Sequence, residues 1–357
     1  MLEALLHIII PIVIFSFIAA FTLFAVYAER KVAGFVQDRL GPMETGKYGV
    51  LQTIADILKL LQKELITPTV ADSALFKAAP VVIFAAVFTG YAVMPWTIDW
   101  APANTYTGLF FVLAIISIDA LGILMAGWGS NNKYSLLGSM RAIAQMLSYE
   151  LPVGITLVTV VVMQQSLDLN LIAQNQGILA AEPIKFLGIW EVNNVGGIFA
   201  WHIFQAPHLI IAYVIFFIAT LAECNRAPFD IPEAESELIG GFHTEYGGIR
   251  FAFVFLAEYA MMFLVAMLGV ILFWGGWNSP LPNIGSLTLA DWTTGIWWGI
   301  FWTLIKTLIV VSVQMLLRWT LPRLRADQLM HLSWKVLTPL AFLCLMISVL
   351  WRILVMI

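Results

Sequence analysis

Four carboxylates stand where a carboxylate is expensive. Asp119, Glu150 and Glu258 fall inside long apolar runs and Glu223 closes a fourth, while Lys306 lies inside a fifth. A charge at the centre of a membrane-spanning helix costs roughly 2.5–3.5 kcal/mol on insertion scales, so each of these groups needs a reason to be there. An ion pair with Lys306, or a hydrogen bond between helices, accounts for any one of them. Several together point to a path for protons. Glu258 lies eight residues beyond Arg250, about 12 Å along a helix at 1.5 Å per residue. Glu150 has Gln145, Ser148 and Tyr149 close by in sequence.

A second concentration of acid follows Glu223. Asp230, Glu233, Glu235, Glu237 and Glu245 continue it to Tyr246, with Arg226 as the sole Lys or Arg between 223 and 246. Crowded carboxylates raise one another's proton affinity, which makes proton acceptors near neutral pH. Anionic headgroups repel such a segment. A freely solvated acidic loop is the plainer account. Pro228, Phe229, Ile231, Pro232, Leu238, Ile239 and Phe242 make the segment too apolar for that, and predict packing into the bundle or against a partner.

The elements that must position these groups are apolar spans. Of 357 residues, 61% are hydrophobic and 11% charged, which excludes an ordinary soluble domain. Runs of spanning length predict eight helices near 4–28, 74–95, 108–128, 142–164, 201–223, 251–275, 295–317 and 333–356. The fold class is therefore an all-α polytopic membrane bundle, a single transmembrane domain over 1–357. The first run has no basic stretch before it and no small-residue cleavage site, so it reads as a retained span rather than a signal peptide. Thirteen of the 18 Lys and Arg fall in the loops 29–73, 129–141, 224–250 and 318–332, which places these loops inside and both termini outside. The many Trp, as in Gly275–Gly276–Trp277 and Gly295–Ile296–Trp297–Trp298, fit an outer aromatic belt.

Between Val50 and Leu65, Leu51, Ile54, Leu58, Leu61 and Leu65 recur at helical spacing, with Gln52, Asp56, Lys59 and Lys63 on the opposite face. This is an amphipathic interfacial helix whose polar face meets either lipid headgroups or a cavity. Two Cys and no C-x-x-C cannot ligate an iron–sulfur cluster, and five scattered His give no facing pairs for two haems. No G-x-G-x-x-G, Walker A or H-E-x-x-H sequence occurs. A net charge of −4 argues against nucleic acid as a partner.

Several stretches resemble the ND1-type membrane-subunit family of NADH–quinone oxidoreductase, respiratory complex I. Ala28–Glu29–Arg30–Lys31 with Gly34, Gln37, Arg39–Leu40–Gly41–Pro42 and Leu51–Gln52 through Glu64 is similar to that family's first inside loop. Ser130–Tyr134 through Arg141 to Glu150, Leu221–Asp230 through Glu245–Tyr246, and Arg318 through Lys335 are similar to its later loops, and the acidic loop is the most specific of them. Met43, Thr53 and Ala234 depart from the family's usual Asn, Pro and Gly. The Glu233–Ala234–Glu235–Ser236–Glu237 pattern favours the quinone enzyme over related hydrogenase complexes.

The resemblance implies a subunit without a redox centre, FMN, iron–sulfur cluster, haem or metal of its own, and with no catalytic residue in this chain. Its substrate is quinone. Its implied partners are the peripheral-arm iron–sulfur and quinone-site subunits and the antiporter-like and small membrane-arm subunits, in a bacterial inner membrane. For the quinone chamber it implies Glu29, Arg30, Gln37, Arg39, Gln52, Asp56, Lys59, Arg226, Phe229 and Asp230. For a proton relay it implies Glu150, Glu223, Glu233, Glu235, Glu237, Glu245, Tyr246 and Glu258. Asp119 matches no acidic position of the family. An ion-coupled transporter is the rival from another class, but no internal symmetry is visible in the sequence.

Overall fold

In the computed structural model the described residues are 2–98, 100–180, 184–188, 190–192, 195–231, 239–283 and 288–356. Glu233, Glu235 and Glu237 lie outside them. Among the described residues the regular structure is helical, apart from one two-stranded antiparallel hairpin, β1 (Lys185–Phe186) and β2 (Trp190–Glu191), and an isolated bridge between Thr97 and Trp100. The helices are α1 (Leu2–Val36), α2 (Gln52–Gln62), α3 (Ser73–Gly90), α4 (Gly108–Gly129), α5 (Lys133–Gln164), α6 (Leu169–Gln174), α7 (His202–Gln205), α8 (Pro207–Glu223), α9 (Gly248–Phe273), α10 (Leu289–Trp292), α11 (Ile296–Thr320), α12 (Ala326–His331) and α13 (Thr338–Trp351).

Seven helical stretches are long and apolar enough to cross a membrane: Ile8–Val36, Ser73–Val93, Gly108–Gly129, Lys133–Gln164, Gly248–Phe273, Ile296–Thr320 and Ala326–Leu354. Pro207–Glu223 is an eighth, shorter apolar helix of 17 residues. The chain is an integral, all-α, polytopic membrane protein.

Several helix bounds differ from those predicted, three of them for a visible local reason, and the last span starts at Ala326. Helix α1 continues past residue 28 through Glu29–Arg30–Lys31, because these are good helix formers and the buried Glu29 meets its counter-charges inside the bundle. Helix α5 starts at Lys133, so most of the inside loop predicted at 129–141 is helical; the Asn132 side chain accepts from the Tyr134 amide and caps it. The run 201–223 is broken, because Ala206 is extended (φ −149, ψ 142) before Pro207, which disfavours helical backbone in the residue ahead of it. The amphipathic helix predicted over 50–65 narrows to Gln52–Gln62.

Helix α9 is the axis of the bundle. It packs on α1, α3, α8 and α11. Every residue from Tyr259 to Phe273 is buried. Helices α3 and α4 approach so closely that a Cβ on Gly122 would lie 2.5 Å from Ile83 Cγ1, the small-residue contact by which helices associate in lipid. A Cβ on Gly138 of α5 would lie 2.8 Å from the Gly241 Cα. That contact lets the turn Gly241–His243 sit down on α5 and carry His243 towards α9.

Candidate functional site

Two features meet on α9. The first is a cleft of about 480 Å³ between α1, α2 and α9, walled by apolar side chains such as Phe15, Ala19, Val26, Leu60, Ala252 and Phe255. Its polar lining is Thr22, Arg30, Thr53, Asp56 and Lys59. Arg30 Nη1 lies 2.7 Å from Asp56 Oδ2, and Lys59 Nζ lies 3.9 Å from Asp56 Oδ1. Gln52 donates to Asp56 Oδ1 at 3.3 Å and accepts from Thr45 at 2.6 Å. The polar face of the amphipathic helix thus borders a cavity.

Behind the cleft is Glu29, 5% exposed. Arg318 Nη1 donates to its Oε1, Tyr259 Oη donates to its Oε2 at 2.5 Å, and Arg226 Nη1 stands 3.6 Å from Oε2. The Arg226 guanidinium also lies over the Tyr259 ring, 4.2 Å from its centroid. A buried carboxylate that meets two guanidiniums and a phenol closes a cluster whose cations would be left without a counter-charge if it were removed.

The second feature is an acidic cavity of about 20 Å³ among α3, α4, α8 and α9, a volume that takes one water. Asp119, Glu223 and Glu258 line it, with Cys224, Asn225 and Phe242. Asp119 Oδ1 and both Glu223 oxygens are buried without a hydrogen-bond partner among the described residues. Glu258 Oε1 is 3.0 Å from His243 Nε2. Asp119 lies within electrostatic reach of Glu258, and both Asp119 and Glu150 lie within reach of Glu223. Glu150 Oε1 accepts from the Ser117 hydroxyl of α4. Beside the cavity, burial first and the Glu223 carboxylate second push the Cys224 thiol up, against a smaller downward pull from Arg226. The thiol is protonated at neutral pH.

The remaining residues implied by the resemblance are dispersed. Gln37 and Arg39 are exposed beyond the end of α1 and do not line the cleft. Phe229 is buried against Tyr149, ring centroids 5.5 Å apart, and its carbonyl accepts from Gln145 at 2.7 Å. Asp230 pairs with Arg323 at 3.2 Å. Glu245 accepts from Asn132 at 2.6 Å. Tyr246 stacks on Phe76 and donates to its carbonyl at 3.1 Å; burial pushes its phenol up, Arg250 pulling the other way. These last two anchor the loop outside the acidic cavity.

Sequence reasoning missed Asp119, His243, Tyr259 and Arg318 as site residues. Asp119 was visible as a carboxylate in a span, and Tyr259 as the neighbour of Glu258; which cation meets Glu29 carries no local signal. Of the accounts open for these carboxylates, the ion pair with Lys306 does not form among the described residues; Lys306 binds backbone carbonyls instead. Among the described residues no three His, Cys, Asp or Glu side chains could hold a metal ion.

The family model described as NADH dehydrogenase matches residues 8–349. The H 2 subunit of NADH-quinone oxidoreductase from Cytophaga hutchinsonii is 54% identical over 354 residues, covering 95% of this chain and 97% of the relative. The corresponding H-type subunit from Chlorobium luteolum is 51% identical, covering 96% and 88%, and that from a Geobacillus species 43% identical, covering 93% and 90%. With a family match over nearly its whole length and relatives at these identities, the chain belongs to the NADH dehydrogenase family of membrane proteins, represented by the H-type subunits of NADH-quinone oxidoreductase.

Proposed function

We propose that this chain forms the wall of a quinone chamber in a proton-translocating NADH:quinone oxidoreductase and links quinone reduction to proton movement through its buried carboxylates. The observation that carries the reading is the pairing on α9 of Tyr259, bonded to the Glu29 cluster behind the cleft, with Glu258, which lines the acidic cavity. An apolar cleft ending on charged groups suits a molecule with an isoprenoid tail and a polar headgroup. Arg30, Asp56 and Lys59 stand at its polar end, and the Glu29, Arg226, Arg318 cluster lies beyond.

Two-electron reduction of a quinone places negative charge on the headgroup until two protons arrive. At an effective dielectric near 20, a unit charge about 10 Å away changes a carboxylate's energy by roughly 1.7 kcal/mol, enough to switch protonation. Glu258, Glu223 and Glu150 then pass that change along the bundle, with Asp119 added to them and Glu233, Glu235 and Glu237 feeding from the loop. The donors that protonate the headgroup belong to a peripheral subunit.

In this reading residues 1–357 act as one transmembrane domain of a bacterial inner membrane, with both termini periplasmic. The loops bearing Lys and Arg meet the iron–sulfur arm, and the lateral faces meet lipid and the antiporter-like subunits. The names of the relatives favour the quinone enzyme over a hydrogenase-type complex or a secondary transporter.

The test fills the cleft. Ala252→Trp in the assembled enzyme should raise KM for long-tailed quinone several-fold while NADH oxidation with a soluble artificial acceptor is unaltered. An unchanged KM, with the variant chain assembled, removes the cleft from the quinone path.

A further inference from the structure

Lys306 is a buried charge that neither the cleft nor the acidic cavity uses. It is 3% exposed on α11. Its Nζ donates to the carbonyls of Trp274 at 2.9 Å, Gly276 at 3.0 Å and Asn278 at 2.6 Å, and lies 4.4 Å from the Trp201 ring centroid. No carboxylate accompanies it among the described residues; the three carbonyls match the three N–H groups of an ammonium, whose charge meets only dipoles and a ring quadrupole.

Capping α9 is the simpler duty for such a lysine, since a helix C-terminus leaves carbonyls without partners and favours a cation. That duty is already filled. The Trp274 and Gly276 amides donate to the Val270 carbonyl at 3.0 and 2.9 Å, Gln176 Nε2 donates to Ile271 at 2.7 Å, and His202 Nδ1 donates to Leu272 at 2.7 Å. Lys306 takes carbonyls of the turn beyond the helix. What it adds there is charge.

Its position gives that charge a use. From Glu258 to Phe273 is fifteen residues of α9, roughly 22 Å, and Ala260–Phe273 is apolar and buried throughout. Lys306 stands past the far end of this stretch, at the end of the bundle opposite the loops rich in Lys and Arg. We propose that the caged ammonium of Lys306 is an electrostatic stopper that keeps protons from the acidic cavity from crossing to the far face along α9. The proposal rests on the proton reading above in one respect, that protons reach that cavity. A fixed positive charge in a low-dielectric constriction is the device by which membrane proteins reject cations and protons.

The experiment is a passive proton leak, read with a trapped pH dye in proteoliposomes of the whole enzyme under a potassium diffusion potential, without NADH. Lys306→Gln keeps a donor and loses the charge; Lys306→Arg keeps the charge. A unit charge about 10 Å from the path at an effective dielectric near 20 slows passage roughly fifteenfold, so Lys306→Gln should raise the leak by about that factor and Lys306→Arg by less than about twofold. An unchanged leak in Lys306→Gln means the apolar stretch seals by itself and overturns the proposal. Equal leaks in both variants mean packing, and overturn it too. Where Lys306→Gln assembles poorly, Lys306→His decides: its leak must rise as pH climbs through the histidine range and close below it, His202 being the other titratable side chain of the cluster, and a pH-independent leak overturns the proposal. A leak in Lys306→Gln that survives addition of Glu258→Gln upholds the stopper while counting against the carboxylate relay, so the two readings fail separately.

Discussion

Glu29 and Glu223 are both acids buried in the same bundle, yet the chain treats them in opposite ways. Glu29 meets Arg318, Arg226 and the Tyr259 hydroxyl, every partner a donor and two of them cations. Glu223 shares a space of one water with Asp119 and Glu258 and lies within electrostatic reach of Glu150, with no cation bonded to it among the described residues. One arrangement surrounds its carboxylate with donors. The other makes charge costly to gather, because neighbouring carboxylates repel one another and limit how many are ionised together. The two arrangements meet on α9, where Tyr259 bonds to Glu29 and its neighbour Glu258 lines the cavity with Glu223.

Breaking the Glu29 cluster should have the largest effect. Glu29→Gln leaves the buried Arg226 and the quarter-exposed Arg318 without their carboxylate, a change that costs about 3–5 kcal/mol in fully buried pairs and falls towards the lower end here. A lowered melting temperature and a poorer yield of assembled enzyme are the expected readings. A Glu29→Gln enzyme of unchanged thermal stability would mean that the cluster does not hold the cleft wall.

The acidic cavity should break differently. Glu258→Gln should slow coupled quinone reduction roughly tenfold or more, as loss of a proton-transferring group does, without loss of assembled enzyme. Asp119→Asn removes a buried carboxylate oxygen that lacks a partner among the described residues, so melting should stay level or rise while turnover falls. If Asp119→Asn instead lowers the melting temperature as Glu29→Gln does, the contrast between the two acids is gone.

The sequence carries the Glu29 cluster less well than the acidic cavity. Carboxylates in apolar spans stand out by cost alone, which is how Glu150, Glu258 and Asp119 are visible from composition and spacing. What spacing does not show is which of them converge, since α4, α8 and α9 meet only through long-range packing. Arg318, 289 residues from Glu29, reads locally as one more cation of an inside loop. Lys306 shows the limit: opposite charge in a neighbouring span leaves an ion pair open as one account, but the carbonyls of the turn at 274–278 form a site for it that no pattern of side chains announces. Helix ends shifted wherever a cap or a proline outweighed hydropathy, at Asn132 and at Pro207 above all.

The smallest effect reads the charge of the acidic cavity directly. Cys224 lines it beside Glu223, and its thiol is raised first by burial and then by that carboxylate. Alkylation by a maleimide requires the thiolate, so labelling of the native enzyme near neutral pH should be slow and should become complete once the chain is unfolded. Glu223→Gln removes an upward push on the thiol, so the thiolate fraction and the labelling rate should rise, by about tenfold for each unit that the pKa falls. Arg226→Gln removes a downward pull and should slow labelling further. The two changes act in opposite directions on one sulfur, which separates charge from a general loosening of the cavity, since loosening speeds both. If labelling in Glu223→Gln matches that of the unaltered chain at every pH, Glu223 carries no charge that the thiol can feel, and the difference drawn between it and Glu29 becomes one of neutral against ionised rather than of crowded carboxylates against a ring of donors.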